Sequence, residues 1–348
     1  MSQRTPAPSI ASVEPAFALP GGEVVLHGRA LMNGLDTPPR VYFGEARGTI
    51  VFASPSRLTV LVPDDPSGNT ITVTTAAGSA STAFTLASLL AGNLHPVANP
   101  AVDEAGNIYT TFSGSRGQSV PTSLYRIDDS SVLHPIAAEV MNPTGLALDA
   151  AGNLYISSRH EGAIYRLTPN GGLSTYAEGM GVATGLAFDA IGNLYVGDRS
   201  GTIFKLAPDR QIFVFATIEP SVAAYHLAFS PNGNLYVTGP TTSSNDCVYE
   251  IDPHGVVRPF FTNLGRPQGI AFDLQGSLYV AASWRGHRGI LRITPAGVAT
   301  HIIAGSNLVG LAFDPHSALV LATNSAAYFL PWEIPGFIET PELPEDKL

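Results

Sequence analysis

Four short segments of this 348-residue chain set an arginine among small or hydroxyl-bearing residues: Ser113-Gly114-Ser115-Arg116, Ser157-Ser158-Arg159-His160, Gly197-Asp198-Arg199-Ser200 and Ser283-Trp284-Arg285-Gly286-His287. The chain holds 16 arginines and 2 lysines, so these positions favour the guanidinium rather than positive charge alone. Its planar fork of donors matches paired oxygens on a carboxylate, phosphate or sugar. Arg116, Arg159, Arg199 and Arg285 aimed at one spot would make an anion-attracting funnel in a chain of formal net charge −10. The competing reading is that each guanidinium braces neighbouring loops, as Asp198 beside Arg199 suggests. A longer segment, Gly239–Asp246, is rich in hydroxyls and adds Ser243 and Ser244 as ligand contacts.

Histidines supply the acid–base candidates. In Tyr225-His226-Leu227-Ala228 an imidazole stands where Thr144-Gly145-Leu146-Ala147 and Thr184-Gly185-Leu186-Ala187 carry glycine. Histidine titrates near neutral pH and serves as acid, base or ligand; here the alternative is a packing side chain. His226 and His160 are the catalytic candidates, each able to activate a water. Asp198 and Asp246, with those two histidines, are the metal-ligand candidates, although no H-E-x-x-H spacing supports them. There is no G-x-S-x-G elbow and no phosphate-binding glycine loop. A single cysteine, Cys247, excludes an internal disulfide and a cysteine-rich zinc site, and its apolar surroundings read as structural.

These residues sit in an internal repeat. The turn position of Asp-Ala-Ile-Gly-Asn at 189–193 recurs at Asn107, Asn153, Asn193, Asn234, Ser277 and Ala318, with spacings of 46, 40, 41, 43 and 41 residues. Short alternating apolar runs between Gly, Asn and Asp clusters give about four strands per unit, which predicts a six-bladed β-propeller. Its topology brings the starts of the inner strands, Ala98, Thr144, Thr184, Tyr225, Gln268 and Val309, to the same channel mouth as the arginine segments. Thr144, Thr184, Tyr225 and Gln268 therefore join the ligand-binding candidates. Arg126, Arg166, Lys205, Glu250 and Arg292 share a third-strand slot that reads as a solvated face. The last repeat lacks a fourth strand, and residues near 86–92 are expected to supply it, closing the ring and removing an open edge.

The first 88 residues differ. Runs at 9–13, 23–27, 40–43, 49–53, 58–62 and 70–74 alternate as strands of an immunoglobulin-like β-sandwich. Gly21-Gly22-Glu23-Val24-Val25-Leu26-His27-Gly28, then Val41-Tyr42-Phe43-Gly44 and Leu58-Thr59-Val60-Leu61-Val62-Pro63, resemble an IPT/TIG domain. The expected organisation is an extension over 1–7, the IPT/TIG-like sandwich over 8–88, the propeller over 89–332 and a loosely attached Pro-rich acidic tail over 333–348. The whole chain is expected to be all-β.

The repeats, carried by Pro-Thr-Gly-Leu-Ala-Leu-Asp at 143–149, Pro-Gln-Gly-Ile-Ala-Phe-Asp at 267–273 and the Gly-Asn-Leu-Tyr-Val turns, resemble NHL-repeat and gluconolactonase/regucalcin-like propellers. That resemblance implies a divalent metal such as calcium at one channel mouth and hydrolysis of a lactone. The family's Glu, Asn and Asp ligands correspond here to Ala98, Thr144, Thr184, Tyr225, Gln268 and Val309. The expected function is binding of a small anionic or polyhydroxylated ligand, a sugar acid or its lactone, with hydrolysis of a lactone as an extension of it. The alternative is a non-catalytic recognition propeller, with the IPT domain as spacer and a protein partner at the same mouth. Only 13% of residues are charged and 45% are hydrophobic, which excludes general disorder. The acidic balance argues against nucleic-acid partners, and no apolar run is long enough for a membrane helix. With no export signal at the amino terminus, the default expectation is cytoplasmic, with an extracytoplasmic location left open.

Overall fold

In the computed structural model, residues 6–32, 38–115, 117–136, 139–243, 245–316 and 318–343 are described. Among them every regular element is a strand. The chain divides into two compact units: Met1–Ser88 with Arg285–Leu291 and Thr300–Ser306, and Leu89–Trp284 with Arg292–Ala299 and Asn307–Leu348.

In the first unit, Ser9–Glu14, Glu23–Arg29, Arg57–Leu61 and Thr49–Ala53 form one sheet in that spatial order. Ala46–Arg47, Arg40–Phe43, Thr70–Thr75 and Gly78–Ala83 form the other. Alternation sends Val24, Leu26, Leu58 and Val60 from one sheet, and Val41, Phe43, Ile71 and Val73 from the other, into a shared core. Phe17–Ala18 runs parallel to both Thr85–Leu86 and Ile303–Ala304, so this unit incorporates a segment from far along the chain.

The second unit is a β-propeller. Its inner strands adjoin in cyclic order: Ala101–Val102, Pro143–Leu148, Ala183–Phe188, His226–Phe229, Ile270–Asp273 and Leu308–Asp314, which returns to Ala101–Val102. From each, antiparallel strands step outward, as in Ala183–Phe188, Leu194–Asp198, Thr202–Leu206 and Ile212–Thr217. In the last repeat, Ser88–Gly92 lies outside Ala326–Pro331 and completes the sheet, as the missing fourth strand required.

The Leu-Ala-Phe run of the inner strands explains this packing. Leucine and phenylalanine point between sheets, where tyrosine from one repeat meets phenylalanine of the next edge to face. The pairs are Tyr155–Phe188, Tyr195–Phe229, Tyr236–Phe272 and Tyr279–Phe313, with centroids 5.0, 5.0, 4.8 and 5.1 Å apart. The intervening alanines, Ala101, Ala147, Ala187, Ala228, Ala271 and Ala312, line the channel.

The turns are held by carboxylates. Asp149 Oδ1 accepts from the backbone N–H of Ala151 (3.0 Å) and Asn153 (2.9 Å), while Oδ2 accepts from Asn153 Nδ2 (2.9 Å) and the Tyr155 hydroxyl (3.2 Å). Asp103 and Asp189 repeat the arrangement. The fourth repeat has Ser230 in place of aspartate, and Glu250 supplies the missing acceptor to Asn234 Nδ2 (2.6 Å) and the Tyr236 hydroxyl (3.0 Å). In the fifth, Arg292 Nη2 reaches buried Asp273 at 3.3 Å. Glu250 and Arg292 are thus parts of the turn network rather than solvated faces, which explains the reversal of charge in that slot. An Asp149→Asn variant is expected to lose about 1–2 kcal/mol in urea unfolding, since one acceptor becomes a donor facing other donors.

The carboxyl-terminal segment is not a loose extension. Gly336–Phe337 adds to Ile270–Asp273, pairing Phe337 with Phe272 and Gly336 with Asp273. Leu274 N–H donates to the Pro335 carbonyl (3.1 Å), Ala150 N–H donates to that of Pro341 (3.0 Å), and Leu343 packs on the apolar core of the second and third repeats. The segment therefore straps the face carrying the Asp-x-x-Gly-Asn turns, passing from the fifth repeat to the second and third.

Candidate functional site at the channel mouth

The inner strands start, and the second strands end, around a cavity of about 260 Å³. Thr144, Thr184, Gln268 and Val309 line it, together with Arg159, Arg199, His95 and Asn324. The second and third repeats bring their arginines here because Leu154–Ser158 and Leu194–Asp198 both end in a tight turn at this rim.

Both arginines also brace loops. Arg159 Nη2 donates to the Gly114 carbonyl (2.9 Å), and Arg199 donates through Nη2 to Val222 O (2.8 Å) and through Nε to Ser221 O (3.4 Å). Each guanidinium is therefore held in place by carbonyls of the adjoining repeat while bordering the cavity. Thr144 donates to Asn142 O (3.3 Å). Thr184 donates to Gly197 O (2.7 Å) and accepts from Tyr225 N–H (3.1 Å), which leaves Thr184 largely structural. Among the described residues, the Gln268 carboxamide has no hydrogen-bond partner, so it offers both donor and acceptor.

Other candidates lie elsewhere. Tyr225 is 1% exposed and its hydroxyl donates to the Glu219 carbonyl. Its ring is buried between Gly197 and Gly239, where an added Cβ would strike it. His160 is exposed at the turn beyond Arg159 and does not line the cavity. Arg285 is exposed, has a φ of 51°, and belongs with the first compact unit. Ser243 is exposed, and its hydroxyl accepts from Asn245 N–H (3.0 Å) as part of a local turn. Arg116 and Ser244 lie outside the described residues.

His226 lines a different space, on the inner side of the mouth. It is 2% exposed, neither ring nitrogen has a partner among the described residues, and burial pushes its imidazole down to about 3. A histidine held neutral and apart from the mouth is not placed to act on a ligand there.

The metal candidates are engaged as loop staples. Asp198 accepts from Val182 N–H (2.7 Å) and from the Ser200 hydroxyl. Asp246 accepts from Thr241 N–H (2.9 Å), the Thr241 hydroxyl (2.6 Å) and Arg266 N–H (3.2 Å). No cluster of three His, Cys, Asp or Glu residues suited to a metal occurs among the described residues. Among the described residues, the mouth cavity has two arginines and no carboxylate in its lining. A hard cation requires several oxygens, usually anionic, so these residues do not fit calcium.

Two polar lining residues carried no motif in the sequence, His95 and Asn324. His95 precedes the first repeat's inner strand, and its Nδ1–H donates to the Ser113 carbonyl, leaving Nε2 as an acceptor. Its signal was position, immediately before the first inner strand, rather than motif.

Comparison with known proteins agrees with this architecture. Residues 8–88 match the IPT/TIG domain family. No curated protein matches the chain. Among solved structures, a gluconolactonase-like protein is 19% identical, with 72% of this chain and 93% of that chain covered and a TM-score of 0.60. An auxiliary nutrient binding protein from Bacteroides ovatus is 12% identical over 95% of this chain and 99% of its own, at TM-score 0.54. Virginiamycin B lyase from Staphylococcus aureus is 14% identical over 70% and 96%, at 0.52. At these identities the likeness is one of fold. Among the described residues, no helix is long and apolar enough to cross a membrane.

Proposed function

We propose that the propeller mouth binds a small anionic or polyhydroxylated ligand, of the sugar-acid or lactone kind, without a metal. One observation carries this reading: among the described residues, the cavity is bordered by two fixed guanidinium groups and no carboxylate. Charge-assisted, directional bonds from arginine favour a carboxylate or vicinal hydroxyls, and the Gln268 carboxamide adds a neutral donor and acceptor. The solved gluconolactonase-like and nutrient-binding propellers share the architecture. Titrating gluconate by calorimetry in a chelator at low salt tests the proposal. Wild type is expected to bind it and Arg199→Ala to bind at least tenfold more weakly, with Arg199→Lys retaining part of the loss because it keeps the charge but not the fork. An absence of heat with wild type, or equal binding by Arg199→Ala, overturns it.

A second reading, hydrolysis of a bound lactone, is favoured by His95, which lines the cavity with Nε2 left as an acceptor. In that reading the water oxygen bonds to the lactone carbonyl carbon as the imidazole takes its proton, arginine stabilises the oxyanion, and its collapse breaks the ring acyl C–O bond while the imidazolium returns the proton to the departing ring oxygen. Gluconolactone turnover that survives in His226→Leu and is lost in His95→Ala would support it.

A further inference from the structure

On the face that carries the Asp-x-x-Gly-Asn turns, away from the arginine-bordered mouth, the junctions between repeats share one plan. A second-strand tyrosine and an outer-strand aromatic of one repeat meet the turns of the next. Between the second and third repeats these are Tyr155 and Tyr176, with Gly192 and Pro208 of the next repeat. Between the fourth and fifth they are Tyr236 and Phe260, with Gly276 and Pro295.

The chain itself fills the first of these junctions. Leu343 of the carboxyl-terminal strap packs on the core that holds Tyr155 and Tyr176, and a Cβ at Gly192 would lie closer than 3.0 Å to its Cδ2. Arg210 lies over the Tyr176 ring, 5.1 Å from its centroid. Between the third and fourth repeats the Gly255 turn closes in, and a Cβ there would lie closer than 3.0 Å to the Phe215 carbonyl oxygen. The corresponding turn of the fifth repeat stands off: a Cβ at Gly297 has nothing within 4 Å among the described residues. The fourth-to-fifth junction is thus an open groove of about 510 Å³, walled by Tyr236, Phe260, Leu274 and Pro295.

Its charge is reversed as well. Arg166 stands across from Tyr155 in the sheet register, whereas Glu250 stands across from Tyr236. The strap that seats Leu343 carries Glu339 and Glu342, and the repeats it reaches carry Arg166 and Arg210. Among the described residues, Glu250 is the only charged residue lining the open groove, and the bonds it accepts from Asn234 and Tyr236 both fall on Oε1. Arg258, across from Glu250 on the outer strand, pairs with Asp252 at 3.4 Å. Pro231 stands where Ala150 donates its N–H to Pro341, so the groove lacks that anchor. Beside it Asn232 Oδ1 accepts from the Ser230 hydroxyl, which leaves Nδ2 as a donor.

We propose that this groove docks an extended segment of a partner protein that carries a leucine next to lysine or arginine. The leucine sits as Leu343 does one junction pair away, and the cation meets Glu250. The strap supplies the precedent: an extended segment, one leucine between repeats, and charge opposite to that of the groove. Alternate side-chain seats and complementary charge select the sequence of such a segment.

The test is ligand-observed NMR titration of the full chain with acetylated, amidated hexapeptides based on strap residues 338–343. Ile-Lys-Thr-Pro-Lys-Leu is expected to bind 1:1. The Ile-Glu-Thr-Pro-Glu-Leu parent and a lysine version ending in alanine should bind at least tenfold more weakly. Glu250→Gln keeps an acceptor for Asn234 and Tyr236, and in it the preference for lysine over glutamate should fall below threefold. Leu274 is 54% exposed, so Leu274→Arg should leave the urea midpoint unchanged while weakening the lysine peptide at least tenfold. No binding of that peptide to wild type, equal binding by Leu274→Arg, or an undiminished lysine preference in Glu250→Gln overturns the proposal. Concentration-dependent dimerisation that is lost in Leu274→Arg would place a second copy in the groove, and overturns it too.

Discussion

Lowering the pH from 6.5 to 4.5 is expected to cost the wild-type protein about 2–3 kcal/mol more stability than it costs His226→Leu. The folded imidazole is pushed down to about 3 by burial, whereas the unfolded chain titrates near about 6.5. Between those values the unfolded state holds a proton that the folded state does not. The sign follows directly: the contribution is complete above the unfolded value and is lost as the pH falls, by up to about 1.4 kcal/mol per pH unit. Urea unfolding of both proteins from pH 7.5 to 4.5, followed by the fluorescence of Trp284 and Trp332, gives the difference. Carboxylates that also titrate in this range act in both proteins and cancel. At pH 7.5 the leucine variant should be at least as stable as wild type, because an unpartnered buried polar group costs about 1–3 kcal/mol. Superimposable pH profiles would show that His226 is hydrated in the folded state.

Gly185→Ala is expected to destabilise the propeller by about 2–3 kcal/mol, the cost of overpacking against groups that cannot retreat. The added Cβ would lie closer than 3.0 Å to the Tyr225 carbonyl oxygen and 2.9 Å from Leu227 Cδ1. Both belong to the neighbouring inner strand, whose position is fixed by the sheets on either side. Gly92→Ala is the matched control: a Cβ there has nothing within 4 Å, and its effect should stay within about 0.5 kcal/mol. Equal midpoints for the two variants in urea would mean that the ring of inner strands expands to admit a methyl group.

The propeller was legible because its core and turns obey local rules. Alternating Leu-Ala-Phe and the Asp-x-x-Gly-Asn turn specify strands and their reversal within a few residues, and a missing last strand implies a donor elsewhere. The site was legible in part. Topology alone brought Thr144, Thr184, Gln268, Arg159 and Arg199 together, but the carbonyl partners of the arginines lie in other repeats and carry no side-chain signature. Tyr225 matched Thr184 in position yet points into the core, because Gly197 and Gly239 leave a slot for its ring. Those two glycines were the available signal. The carboxyl-terminal strap was misread because proline and acidic residues dominate its composition, while its anchoring rests on Phe337, Leu343 and a few backbone groups.

Ser88–Gly92 beside Ala326–Pro331 also imposes an order on synthesis. From Gly92 to Ala326 the ribosome must add 326 − 92 = 234 residues before the two strands can meet. At about 5–20 residues per second, the nascent chain carries an unmatched strand for on the order of 10–50 s. A chain that stops early, even one complete through Asp314, has made nearly every sheet but leaves Ser88–Gly92 without Ala326–Pro331, the strand it pairs with. Quality control in the cell would therefore meet truncated products as open-ended arrays rather than as smaller rings.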